Sequence, residues 1–186
     1  RFLQLIEREA EHAKQGKPAE ITAKMNSLCD QELIAALYEA SAAGVKIELV
    51  VRGICCLKVG IPGISENIEV RSLVGNFLEH SRIYYFLNGG QEEVYLSSAD
   101  RRVEILFPVE NEHLKQEVIH VLEIQLRDTL KAQIKQSDGT YSKVDRRGKE
   151  ALCAQDYFME YAKKLAKPEE ETANNRVFIP AEPLQG

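Results

Sequence analysis

Two short β-type runs held apart by one capped helix constrain this chain more than any other feature. Ile21 to Asn26 has the length of a strand. Asp30 then offers an N-cap for a helix running to about Ala43, with Leu33, Ile34, Leu37, Ala40 and Ser41 on one face and Gly44 as its stop. Ile47 to Val51 follows as a nearly continuous apolar run, the pattern of a parallel strand buried on both faces. Strand, helix and strand joined by turns this short make a βαβ unit, which predicts an α/β sheet. At 186 residues the chain is long enough to bury a sizeable core as one domain.

The remaining pattern extends that sheet. Phe2, Leu5, Ile6, Ala10 and Ala13 recur at helical spacing, so a helix over Phe2 to Gln15 precedes the βαβ unit, stopped by Gly16 and Pro18. A loop from Gly53 to Asn67 leads to a largely alternating strand, Ile68 to Val74. Arg82 to Leu87 and Val94 to Ser98 flank Asn88-Gly89-Gly90 and read as a hairpin, and Val103 to Phe107 is a further strand ended by Pro108. Leu114, Val118, Val121, Leu122, Leu126, Leu130 and Ile134 form one stripe, which predicts a helix from Glu110 to Ile134. A turn at Asp138-Gly139 and a second helix from Glu150 to Ala166 complete the domain, residues 1–166. Residues 167–186, with Pro168-Glu169-Glu170-Glu171, read as a solvated tail.

Charge and cysteine usage narrow the function classes. The net charge is -5, from 24 basic and 29 acidic residues, which argues against nucleic-acid binding driven by overall charge. No apolar run approaches the roughly 20 residues that span a bilayer. The chain starts Arg1-Phe2-Leu3, shows no signal-peptide pattern, and reads like a piece of a longer protein. Its four cysteines, Cys29, Cys55, Cys56 and Cys153, have no zinc-type spacing. Vicinal Cys55-Cys56 in an apolar run reads as a pair of buried thiols in a reducing compartment, which points to the cytoplasm.

Chemistry-bearing residues gather near predicted strand ends. They are Lys24-Met25-Asn26, Arg52-Gly53, Glu79-His80-Ser81-Arg82, and Ser97-Ser98-Ala99-Asp100 followed by Arg101, Arg102 and Glu104. Ligands of open α/β sheets bind beyond the carboxyl ends of the strands. Lys24, Arg52, Arg82 and the arginine pair could therefore converge on one basic pocket suited to phosphate, the guanidinium forks gripping oxygens in pairs and Lys24 acting as a point charge. His80, the one imidazole in the set, suits proton transfer or nucleophilic attack near neutrality, although a lone histidine ahead of a strand is more often a hydrogen-bonded structural residue. His12, His113 and His120 fall on predicted helices and read as surface or packing residues. Lys143, Arg146, Arg147 and Lys149 read as a solvated face. No glycine-rich phosphate loop is present, so the nucleotide folds that depend on one are unsupported.

Several runs nevertheless resemble one family. Ala40-Ser41-Ala42-Ala43-Gly44-Val45-Lys46-Ile47, Val51-Arg52-Gly53-Ile54-Cys55, Ser65-Glu66-Asn67-Ile68, Gly75-Asn76-Phe77-Leu78-Glu79-His80-Ser81-Arg82, Tyr95-Leu96-Ser97-Ser98-Ala99-Asp100 and Arg101-Arg102-Val103-Glu104-Ile105-Leu106-Phe107-Pro108 look like the final catalytic domain of bacterial polyphosphate kinases. The likeness runs from near the N-terminus to about Tyr161. It implies a phospholipase D-like fold, a mixed β-sheet flanked by helices with long C-terminal helices. It also implies reversible transfer of the terminal phosphoryl of ATP to polyphosphate through a phosphohistidine in a preceding catalytic domain. The family's magnesium ligands lie in that domain too, and none is expected in this chain. By resemblance Arg52 and His80 contact ATP or ADP phosphates, His80 as the second, non-phosphorylated histidine; Lys24, Asn26 and Arg82 complete the expected phosphate-binding set. Expected partners are ATP, polyphosphate, the preceding domain and further copies in a homo-oligomer. A cytoplasmic location is implied, with peripheral membrane association of the full-length enzyme left open.

Two departures bear on this reading. His80-Ser81-Arg82 has Arg where the wider superfamily has Lys, as the kinase family itself does, which counts against the alternative of a phospholipase D-type phosphodiesterase. A non-catalytic α/β interaction module is the other alternative. The family carries a Trp-Met-x-Arg-Asn-Leu-Asp stretch where Asp100 here joins Arg101 directly. Either that loop is deleted, or, as the reading favours, the protein has it and these residues are omitted between Asp100 and Arg101, so Asp100 matches either of two family Asp positions.

Overall fold

The computed structural model describes residues 1–98 and 105–166. Its elements are, in order, α1 (Phe2–Lys14), β1 (Glu20–Met25), α2 (Gln31–Ala42), β2 (Lys46–Val51), β3 (Ile68–Leu73), β4 (Arg82–Phe86), β5 (Glu93–Ser98), β6 (Ile105–Pro108), α3 (Glu112–Leu126), β7 (Ala132–Lys135), β8 (Tyr141–Lys143) and α4 (Ala154–Leu165). The strands form one mixed sheet in the order β6-β5-β4-β1-β2-β3-β7-β8. β1, β2 and β3 are parallel at its centre; β4, β5 and β6 continue one side and β7 and β8 the other, all antiparallel to their neighbours.

The expected βαβ unit is present. The Asp30 carboxylate accepts a hydrogen bond from the Leu33 N–H at 2.8 Å and caps α2. Gly44, at φ 98°, closes the helix, and Val45 N–H donates back to the Ala40 carbonyl at 3.0 Å. The β1–β2 ladder pairs Ile21 with Ile47, Ala23 with Leu49 and Met25 with Val51. These residues, with Tyr84 and Phe86 of β4, pack against Leu5, Ile6, Leu37 and Ala40 of α1 and α2. Full burial of each large side chain stabilises the fold by about 2 kcal/mol. The opposite face carries Val50, Leu73, Ile83 and Val94 under Leu122 and Ile124 of α3 and Ala154 of α4. No helix of the described residues is long and apolar enough to cross a membrane.

The C-terminal third departs from expectation. The helix predicted over Glu110 to Ile134 stops at Leu126, and Ile134 lies in β7, paired with Arg71 of β3. The cause is Asp128, which is 1% exposed. Its Oδ1 accepts the N–H groups of Leu130, Lys131 and Ala132 at 3.0, 2.7 and 3.0 Å, and its Oδ2 accepts that of Ala154 at 2.7 Å. A carboxylate taking local backbone donors competes with continued helix. The apolar stripe thus spans a helix and a strand, and its first member, Leu114, is 55% exposed. β8, a strand that no sequence pattern predicts, pairs with β7 across the expected Asp138-Gly139 turn. The last helix starts at Ala154 rather than Glu150, where the Ala154 N–H meets Asp128. Vicinal Cys55-Cys56 is not a buried pair: Cys55 is half-buried and Cys56 exposed, because chain beyond the strand end turns successive side chains to opposite sides. Ala99 and Asp100, the strand start at Val103 with Arg101, Arg102 and Glu104, and the tail 167–186 lie outside the described residues.

Asp128 fixes the start of β7 and of α4 together. Asp128→Ala leaves four N–H groups without their acceptor and is expected to destabilise the domain by about 4 kcal/mol in denaturant titration. Asp128→Asn keeps the Oδ1 bonds but turns an amide donor toward the Ala154 N–H, and is expected to lose about half as much. Equal and negligible losses would show that the helix break has another origin.

Candidate functional site

The parallel strands β1, β2 and β3 end at one edge of the sheet, and antiparallel β4 begins there at Arg82. Asn26, Arg52 and Glu79-His80-Ser81 therefore leave the sheet side by side. Gly53 lets two of these segments touch: its N–H donates to the Asn26 carbonyl at 2.8 Å, and a Cβ at Gly53 would stand 2.9 Å from that oxygen.

Below them lies a buried charge. Along β1, Ile21, Ala23 and Met25 face α1 and α2, so alternation sends Lys24 to the α3/α4 face, where it is 4% exposed. Lys24 Nζ donates to Ser81 Oγ at 2.7 Å and to the Ser81 carbonyl at 3.2 Å, and pairs with Glu79 Oε2 at 3.2 Å. Burial pushes the Lys24 ammonium below the usual lysine range, and the Glu79 carboxylate works against that shift. Glu79 also accepts from Gln125 Nε2 of α3 at 2.8 Å and from Gln155 Nε2 of α4 at 2.9 Å. Gln155 brackets Phe77, donating to its carbonyl at 2.9 Å and accepting its N–H at 3.0 Å.

His80 rides on this base. Arg52 Nη1 donates to the Glu79 carbonyl at 3.1 Å, so the backbone is held on the near side of His80 by Arg52 and on the far side by Lys24. The imidazole itself is exposed, with Nδ1 at 3.3 Å from Asn26 Nδ2. With the Asn26 amide donating to Nδ1, the neutral ring carries its proton on Nε2. Among the described residues Asn26 Oδ1 is buried without a partner, so rotation of the amide would let the same residue accept from a protonated ring. Arg52 is half-buried and lines a cleft of about 290 Å³ with residues 73–79 and Gln155. Asn26, Arg52 and His80 can thus present an amide, a guanidinium and an imidazole to an anion at the sheet edge.

The expected convergence is therefore partial. Lys24 underpins the site rather than opening onto it, because its three polar contacts are internal. Arg82 follows the parity of Tyr84 and Phe86 and lines a different cleft, of about 450 Å³, with Phe2, Met25, Leu33 and Tyr84 on the α1/α2 face. Ser97 pairs with Arg82 in the ladder and so belongs to that side too. Glu79, Gln125, Gln155 and Gly75 were not singled out individually from the sequence. A glutamine inside the apolar stripe of α3, between Leu122 and Leu126, was the available signal for Gln125.

Two substitutions test this base. Lys24→Met leaves Glu79 without its cation and is expected to destabilise by about 3 kcal/mol. In the folded chain Lys24 titrates below its ordinary value of 10.5, so between the two values the folded state binds fewer protons and this group's contribution to stability rises with pH. The stability gap between wild type and Lys24→Met should follow that rise; a flat gap would remove Lys24 as its source. A Cβ at Gly75 would overlap the Gln155 side-chain amide. Gly75→Ala should therefore displace Gln155 and shift the His80 ring resonances in NMR spectra, and unmoved resonances would separate Gln155 from the site.

Residues 1–155 match the family model described as polyphosphate kinase C-terminal domain 2. The polyphosphate kinase of Lactiplantibacillus plantarum is 49% identical over 179 residues, 90% of this chain and 25% of that protein. That of Pseudomonas aeruginosa is 56% identical over 154 residues, 79% of this chain and 22% of that protein. Among solved structures, polyphosphate kinase from Porphyromonas gingivalis superposes with a TM-score of 0.82 at 45% identity, covering 87% of this chain and 26% of that one. The chain spans about a quarter of the length of these relatives. A family match over residues 1–155, together with a shared sheet architecture, assigns the chain to the polyphosphate kinase C-terminal domain 2 family.

Proposed function

We propose that this chain supplies one half of a phosphoryl-transfer site in a longer polyphosphate kinase, which moves the terminal phosphoryl of ATP reversibly onto polyphosphate through a phosphohistidine in a preceding domain. The observation that carries the reading is that Arg52 and His80 meet at one end of the sheet, Arg52 Nη1 bonded to the Glu79 carbonyl and the His80 ring to the Asn26 amide. Phosphoryl transfer depends on positioning and on offsetting charge at the phosphoryl oxygens. Arg52, already oriented by its bond to the Glu79 carbonyl, would use its remaining N–H groups on phosphate oxygens. His80 would hold or donate a proton at the oxygen that leaves, with Asn26 fixing the ring in either protonation state. Lys24 supports the site from beneath rather than as a direct phosphate clamp, while Arg82 lines the other cleft.

An apolar rim supports the need for a second half. Ile54, Val74, Phe77 and Leu78 are 71%, 62%, 58% and 73% exposed around the same edge. We assign its cover to the preceding catalytic domain of the longer protein, since this chain spans only a quarter of its relatives. The family's use of magnesium is assigned to that domain as well. The described residues gather no group of three or more His, Cys, Asp or Glu side chains fit to hold a metal ion. We extend the reading to a cytoplasmic enzyme assembled from several copies; the four free thiols are in keeping with a reducing compartment.

Calorimetry of this chain with ATP and with inorganic tripolyphosphate tests the assignment. Weak binding is expected, reduced about tenfold or more by Arg52→Ala and by His80→Ala, with no steady-state ATP consumption by the isolated chain. Binding that survives both substitutions unchanged would remove the two residues from the phosphate site. Turnover by the chain alone would overturn its role as half a site.

A further inference from the structure

Two cysteines that the phosphate site does not use face each other beside it. The Leu28 N–H donates to the Ile54 carbonyl at 2.9 Å and the Cys56 N–H to the Leu28 carbonyl at 2.8 Å. These bonds make an isolated parallel bridge between Leu28 and Cys55, beyond the end of the β1–β2 ladder. In that register Cys29 stands opposite Cys56. Side chains alternate along extended chain, and Leu28 is 1% exposed, so Cys29 falls on the solvent side; both Cys29 and Cys56 are exposed. Neighbouring extended segments lie about 4.8 Å apart. That spacing falls inside the Cα separation of roughly 4.4 to 6.8 Å that a disulfide accepts. The Cys29 thiol donates to the Ile54 carbonyl at 3.9 Å, and the Cys56 thiol beside it pushes its pKa up. Cys55 points the other way, half-buried, with its sulfur 3.9 Å from the Leu57 carbonyl.

We propose that Cys29 and Cys56 are a dithiol modification site that closes to a reversible disulfide by exchange with a low-molecular-weight disulfide. A thiolate of the pair attacks one sulfur of the incoming disulfide, whose S–S bond breaks and releases one small thiolate. The second cysteine, as its thiolate, attacks the protein sulfur of the mixed disulfide and expels the other small thiolate. The two protons given up by the cysteines end on the two small thiols, and the two electrons that the cysteines lose reduce the reagent. The bond would link the segments that carry Asn26 and Arg52, three and four residues before the two sulfurs. The site stands whether or not the phosphate reading holds, because it rests on backbone register and exposure alone.

The test incubates this chain with glutathione disulfide, blocks residual thiols by alkylation, and reads intact mass and peptide maps. Expected is a monomer that takes up two fewer alkyl groups than the reduced chain, with one cross-linked peptide pair joining Cys29 to Cys56, reversed by a dithiol reductant. Cys55→Ser should keep the cross-link, and Cys29→Ser should stop at a glutathione adduct on Cys56. The proposal is overturned if the cross-link maps to Cys55-Cys56 or any other pair, if wild type retains separate glutathione adducts, or if all four thiols stay free.

Discussion

A lysine ammonium enclosed between a sheet and two helices is costly unless its partners are fixed, and the candidate site of this chain depends on how that demand is met. Lys24 sits one residue from the end of the central strand β1 with its Nζ bonded to Ser81 and paired with Glu79. The pair is of the kind that brings little net stability over an apolar replacement, yet is damaging to break. Its consequence is specificity of placement. Glu79 must stay within reach of Lys24, and Gln125 and Gln155 satisfy its oxygens from α3 and α4, so the segment carrying His80 is tied to three elements far apart in sequence.

The C-terminal third serves this arrangement. Asp128 ends α3 and receives the first N–H of α4. It thereby sets where Gln125, one turn before the break, and Gln155, at the start of α4, can stand. One buried carboxylate that orders the chain thus positions the two amides that order another. Helix length is given up for this: continuing α3 to Ile134 would remove both β7 and the acceptor at the head of α4.

How much was legible in the residues follows from the range of the interactions that decide each element. The βαβ unit was legible because its causes are local: the Asp30 cap, the Gly44 stop and two apolar runs. That Arg52 and His80 lie near strand ends was legible for the same reason, while their expected phosphate role came from the family resemblance. The helix to Ile134 was not, because an apolar stripe at helical spacing does not show that an aspartate within it will take backbone donors. Arg82 was grouped with Lys24 on proximity, whereas strand parity sends it to the other face with Tyr84. The thiols of Cys55-Cys56 looked buried because an apolar run does not reveal where a strand ends and side chains begin to alternate into solvent.

The amino-acid sequence by itself determined the α/β class, the caps of its second helix and the hairpin, since short-range periodicity and turn chemistry encode all of these. Tertiary structure alone decided which polar residues share an edge. Lys24 became a foundation and Arg82 a neighbour of another cleft because of strand register and face. Glu79, Gln125 and Gln155 became one hydrogen-bonded cluster because desolvated charge must find donors and acceptors wherever the fold brings them, at separations in sequence that no local pattern records.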